Sequence, residues 1–241
     1  MRRREFIAGL GAAAWPLAVH AQQPDRIRRI GVLMAYDEND PGAKRWLSEF
    51  MQGLKELGWT NGANLRMGIR WAGDSVERLP SFAKDLVDLQ PDVILVTGTS
   101  GTAALQRETR TIPIVFVPVA DPVGSGFVAS LARPGGNITG FSSYEASLGG
   151  KWLQLLMEIA PGVKRAAAIF NPDTALVNRS YYLPSFEAAA RSLKVEPITA
   201  LVHSDAEIAA AITSLGREPG GGLAILPDLF TVVHRGNQRR F

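Results

Sequence analysis

The sequence predicts an α/β protein of two doubly wound parallel-sheet lobes with a ligand cleft between them, the second lobe incomplete. Three observations carry this reading. From residue 29 onward, short apolar runs alternate with stretches of helical period, the pattern of βαβ units. The alternation breaks once, at the PGGN of residues 134–137, and then resumes, so two lobes divide near 139/140. After the last apolar run the chain turns polar and basic, HRGNQRRF, where a complete second lobe needs more sheet.

The elements follow in order. Residues 30–35 (IGVLMA) read as a buried strand. A helix over 42–57 carries Trp46, Phe50, Leu54 and Leu57 on one face and stops at Gly58. Strands are predicted at 65–71, 93–96 and 114–117, with helices at 79–89, 102–107 and 123–131 between and after them. The second run gives helices at 148–159, 185–193 and 206–215 and strands at 166–170, 195–200 and 223–226. Residues 29–139 and 140–234 are thus the two expected lobes, and 235–241 a polar tail outside them.

Residues 1–21 read as a cleaved export leader. Arg2, Arg3 and Arg4 precede an apolar run over 6–19 that is too short to span a bilayer, and Val19-His20-Ala21 offers a cleavage site. Arg3-Arg4-Glu5-Phe6-Ile7 resembles the twin-arginine signal. No other segment approaches a membrane-spanning length, so the mature chain is expected to be free of membrane spans and to act in the periplasm.

Composition narrows the function. Of a net charge of +3, Arg2, Arg3, Arg4 and Glu5 supply +2, leaving about +1 for the body. That charge argues against a nucleic-acid partner. There is no cysteine, and outside the leader the histidines are His203 and His234, far apart. This argues against a metal site or a histidine-based triad.

In an open parallel sheet, ligands meet the loops at the carboxyl ends of the strands. Five loops qualify: 36–40, 97–101, 118–123, 171–175 and 227–231. The strongest is Thr97-Gly98-Thr99-Ser100-Gly101, where a strand passes to a helix whose free N–H groups and hydroxyls can cradle an anion. It lacks the lysine of a P-loop, and Thr102 stands where a nucleophile elbow needs glycine. A carboxylate suits it as well as a phosphate; a simple capped turn is the plainer alternative. The glycines at 124 and 126 resemble a dinucleotide loop, but six residues separate the strand from Gly124, where that loop needs glycine at the strand end. Asp121 before Pro122 reads either as a helix N-cap or as a carboxylate facing the cleft toward a ligand amine.

The segments GTSGTAALQRET, TIPIVFVPVADPVGSGFVASLARPGGNITGFS, KWLQLLMEIAPGVKRAAAIFNP and LAILPD together resemble the ABC-transporter substrate-binding proteins of the tryptophan/tyrosine-binding type, over most of 29–230. The most specific part is DPV-x4-V-x-S-L-x2-P-G-x-N-x-T-G. The resemblance implies a type I periplasmic-binding fold that closes on a small molecule such as an amino acid. It implies no catalysis and no cofactor, and an inner-membrane ABC permease as partner. It also implies ligand contacts from Thr97, Gly98, Thr99 and Ser100, from Asp121, and from Asn171 and Asp228. Two departures stand out: family chains continue past LAILPD, where this one ends in GNQRRF, and the 36–40 loop carries no family signature. The alternatives are an exported Rossmann-like enzyme acting on a nucleotide or sugar, and a shortened, non-functional remnant.

Overall fold

Residues 26–73, 75–142, 145–175 and 177–234 are described by the structure, a computed structural model of the 241-residue chain. The leader, the tail and Tyr144 lie outside the described residues.

The first sheet contains β1 (Arg28–Met34), β2 (Leu65–Trp71), β3 (Val93–Thr97), β4 (Ile114–Val117) and β5 (Ile138–Gly140). They are parallel throughout, in the order β2-β1-β3-β4-β5. The order reverses direction between β1 and β3, and a crevice opens at such a switch point. Alternate side chains of β1 face opposite layers. Leu33 joins Ile94, Val96, Ile114 and Phe116 in one core. Beneath this core lie α2 (Leu79–Asp88) and α3 (Thr99–Glu108), which supply Leu86 and Leu105. Val32 and Met34 face the other way, onto Ala43 and Leu47 of α1 (Pro41–Glu56). Asp40 starts α1 by accepting the Ala43 N–H at 2.9 Å.

The second sheet contains β6 (Arg165–Phe170), β7 (Glu196–Leu201) and β8 (Gly221–Ile225), parallel, in the order β7-β6-β8. One face buries Ala166, Ala168 and Phe170 against Leu153 of α4 (Leu148–Ile159) and Phe186 of α6 (Leu183–Leu193). The opposite face packs Ile169 against Ile208 of α7 (Asp205–Gly216). Two short helices, α5 (Asn178–Tyr181) and α8 (Leu229–Val233), follow β6 and β8.

One predicted element is replaced. The helix read over 123–131 is a series of turns. Asp121 sits at φ +43° and Gly126 at φ +70°, and the Asp121 carboxylate turns back to accept the Gly124 N–H at 2.8 Å. A Cβ at residue 124 would overlap that carboxylate, so a larger residue there would push the Asp121 side chain out of this turn. Asp121 therefore closes a tight turn instead of capping a helix. The short strand β5, which the sequence reading left in the break between lobes, pairs with β4 and completes the first sheet.

Candidate functional site

The switch points of the two sheets face one another. All five strand-end loops reach a cavity of about 90 Å3 between the lobes. Tyr36 follows β1, Gly98 to Ser100 follow β3, and Pro118 and Ala120 follow β4. From the second lobe, Thr174 and Ala175 follow β6, and Pro227 to Leu229 follow β8. Val177 and Val232, just beyond the loops, also line it.

The first-lobe wall is built on β3. Gly98 takes φ +77°, a left-handed value that a side chain disfavours, and turns the chain straight into α3 at Thr99. No side chain caps α3, and Gly98, Thr99 and Ser100 at its start line the cavity, so the electropositive end of the helix borders it. Thr97 does not line the cavity. Its buried Oγ1 accepts the Ala35 N–H at 2.8 Å and donates to the Leu33 carbonyl at 3.5 Å, tying β3 to β1 behind the turn.

The second-lobe wall centres on Asp228, which is buried. Its Oδ1 accepts the Thr231 N–H at 2.8 Å and the Thr174 hydroxyl at 3.0 Å, and its Oδ2 accepts the Asn171 N–H at 3.1 Å. The first of these starts α8. Burial raises the Asp228 pKa above the ordinary carboxylate value, against the pull of the donors around it. Asn171 is buried behind the wall, with its Oδ1 accepting the Asp173 N–H at 2.8 Å. Among the described residues lining the cavity, Asp228 is the one charged side chain.

The lobes meet around this cavity. Ser100 Oγ donates to the Thr174 carbonyl at 3.3 Å. Leu229 of the second lobe packs against the first-lobe core, and Ala120 of the first against the second-lobe core. Asp121 is not in the lining, but it lies near Tyr181, whose pKa is raised by burial first and then by the Asp121 charge. On the outer side, Tyr36 packs edge-on to Trp46, ring centroids 5.3 Å apart.

Of the residues proposed from sequence, Gly98, Thr99, Ser100 and Asp228 converge on the cavity, whereas Thr97 and Asn171 stand one layer behind and Asp121 beside it. Tyr36, Thr174 and Leu229 fall in the predicted loops but nothing in the sequence distinguishes them. Among the described residues no group of His, Asp or Glu is arranged to hold a metal ion.

Two parallel α/β lobes with a cleft at facing switch points define the type I periplasmic-binding fold. The chain belongs to the ABC transporter substrate binding protein family, whose family model matches residues 31–234. Proteins of this family act outside the cytoplasm, and no helix among the described residues is long and apolar enough to cross a membrane. The chain is 30% identical over 166 residues to a tyrosine-binding protein of Clostridioides difficile (strain R20291), covering 69% of this chain and 47% of that protein. It thus spans about half the length of this curated relative. A conserved domain protein from Vibrio cholerae O1 biovar El Tor superposes with a TM-score of 0.70 at 27% identity, over 79% of this chain and 62% of that one. The ABC domain in complex with L-Trp from Streptococcus pneumonia superposes with a TM-score of 0.73 at 20% identity, over 88% and 72% of the two chains, a likeness of fold.

Proposed function

We propose that this chain is the solute receptor of an ABC importer and works by binding and lobe closure, without catalysis. In this reading a leader over 1–21 exports it to the periplasm and is cleaved there. Residues 29–139 and 140–234 act as the two lobes, 235–241 form a tail outside them, and an inner-membrane permease reads the closed form.

The ligand is a small molecule bearing a carboxylate, such as an amino acid. The carboxylate rests on Gly98, Thr99 and Ser100 at the start of α3. Thr97 holds that turn from behind. Asp228, braced by Asn171 and Thr174, receives the amine, and Asp121 shapes the neighbouring loop. The observation that carries the reading is the pairing, across one cavity, of an uncapped helix start in one lobe with a buried carboxylate in the other.

Changing Thr99 and Ser100 together to Ala tests it. Binding of the solute found by thermal-shift screening should weaken by about 1–3 kcal/mol, the cost of stranding a buried charged acceptor, with the fold intact by circular dichroism. Unchanged binding would reduce the turn to a structural role.

A further inference from the structure

The cavity is small for a ligand site. It measures about 90 Å3, whereas an engineered apolar cavity that takes up a benzene ring has about 150 Å3. Drug-sized ligand sites commonly run to several hundred. The side chains that keep it small come from both lobes. Leu229 lines the cavity and packs into the first-lobe core, so closure sets it as a plug between the two switch points. Val232 stands beside it one turn along α8, and Ala120 faces in from the other lobe. The rings of Pro118 and Pro227 in the same walls have no rotamers through which to yield.

The polar groups are equally sparing. Asp228 Oδ1 already accepts two hydrogen bonds and Oδ2 accepts one from Asn171, with the Thr231 side chain bonded to the same carboxylate, so what it offers a ligand amine is its charge more than spare acceptor positions. No Lys or Arg lines the cavity among the described residues. A carboxylate at the start of α3 and an ammonium on Asp228 use this chemistry up, and little room is left beyond the carbon that joins them.

We propose that the site selects α-amino acids of alanine or serine size and that Leu229 is the specificity-determining side chain that shuts out aromatic ones. The inference rests on the receptor reading of the cleft. It separates this chain from its relative named for tyrosine binding and from the L-Trp-bound neighbour.

Calorimetry and thermal shift on the purified chain, with L-alanine, L-serine, L-lactate, L-leucine, L-phenylalanine, L-tyrosine and L-tryptophan as probes, test it. L-Alanine or L-serine should bind, with the aromatic amino acids weaker by about a hundredfold or more, a difference of two tenfold steps. L-Lactate, which lacks the amine, should bind at least about tenfold more weakly than L-alanine. Leu229→Ala should weaken L-alanine and strengthen L-leucine and L-phenylalanine by about tenfold each, closing a gap of about a hundredfold between alanine and the aromatic side chains. Because Leu229 also packs in a core, Val232→Ala serves as a second variant, with a smaller shift in the same direction. If L-tyrosine or L-tryptophan binds the parent chain as tightly as L-alanine, the size filter is wrong and the receptor reading survives. L-Lactate binding as tightly as L-alanine overturns the assignment of an amine to Asp228. A gap left unchanged in both variants removes Leu229 from its role. If no probe binds, the inference falls, and the receptor reading turns on the wider thermal-shift screen.

Discussion

The hydroxyl of Ser100 in the first lobe donates to the backbone carbonyl of Thr174 in the second, at 3.3 Å. Thr174 in turn donates its own hydroxyl to Asp228 at 3.0 Å. The turn over 98–100 in one lobe is thus two hydrogen bonds from the buried carboxylate of the other. Ser100→Ala removes the link between lobes and leaves Asp228 fully partnered. Ligand affinity should fall by about 0.5–1.5 kcal/mol, the net worth of one such bond, while the melting temperature without ligand barely moves. An unchanged affinity by calorimetry would mean that closure does not depend on this contact.

Asp228 should show itself in the pH dependence of stability. Its folded-state pKa is raised by burial, so the folded chain holds this proton more tightly than the unfolded chain does. Its contribution to stability is therefore greatest below the ordinary aspartate pKa and declines as pH rises through the folded value. Asp228→Asn should abolish that decline. At neutral pH it should still destabilise by about 1–3 kcal/mol, because its amide cannot accept from both Thr231 and Asn171. Denaturant titrations of both proteins between acid and neutral pH check this. Parallel stability curves for the two would sink the argument.

Gly149 lies where α4 crosses the start of α6. A Cβ there would overlap the Tyr182 carbonyl oxygen and come within 2.7 Å of Ser185 Oγ. Gly149→Ala should cost about 1–3 kcal/mol as an overpacked contact, with hydrogen exchange quickening in the second lobe before the first. A variant as stable as the parent chain would show that the two helices can separate freely.

In the proposed receptor, export rests on the sequence of residues 1–21. Replacing Arg3 and Arg4 with Lys should leave uncleaved precursor in the cytoplasm if the twin-arginine route is used. Cell fractionation and the size of the retained band are the measurement; normal delivery would assign the chain to the general secretory route.

Most strands were legible, β3 and β4 as continuous apolar runs ended by glycine or proline and β2 as an alternation of Leu65, Met67, Ile69 and Trp71 with arginine and glycine. β2 and β4 match their predicted spans of 65–71 and 114–117. The stretch over 121–131 misled for a physical reason. Val123, Phe127 and Leu131 stand four apart, and Asp-Pro opens them, which is helix grammar. The positive φ of Asp121 and Gly126 overrides that spacing. β5 has three residues, too few for periodicity to register. At the site, the rule that ligands meet strand ends found all five loops, but depth was not readable. Thr97 and Ser100 look alike in sequence, yet one stitches strands and the other meets the opposite lobe. The part played by Leu229 depends on how closely the lobes approach, which no local pattern encodes.

The double stitch by Thr97 Oγ1, to Ala35 and Leu33, has a kinetic consequence. It fixes the start of α3 against β1 as soon as the first sheet forms, so that wall needs no ordering when a solute arrives. In the proposed receptor, the second lobe is then the part that must move. Arrival is limited by how often the lobes stand apart, a frequency common to every solute. Discrimination among solutes should accordingly lie in residence time, with related molecules entering at similar rates and leaving at very different ones.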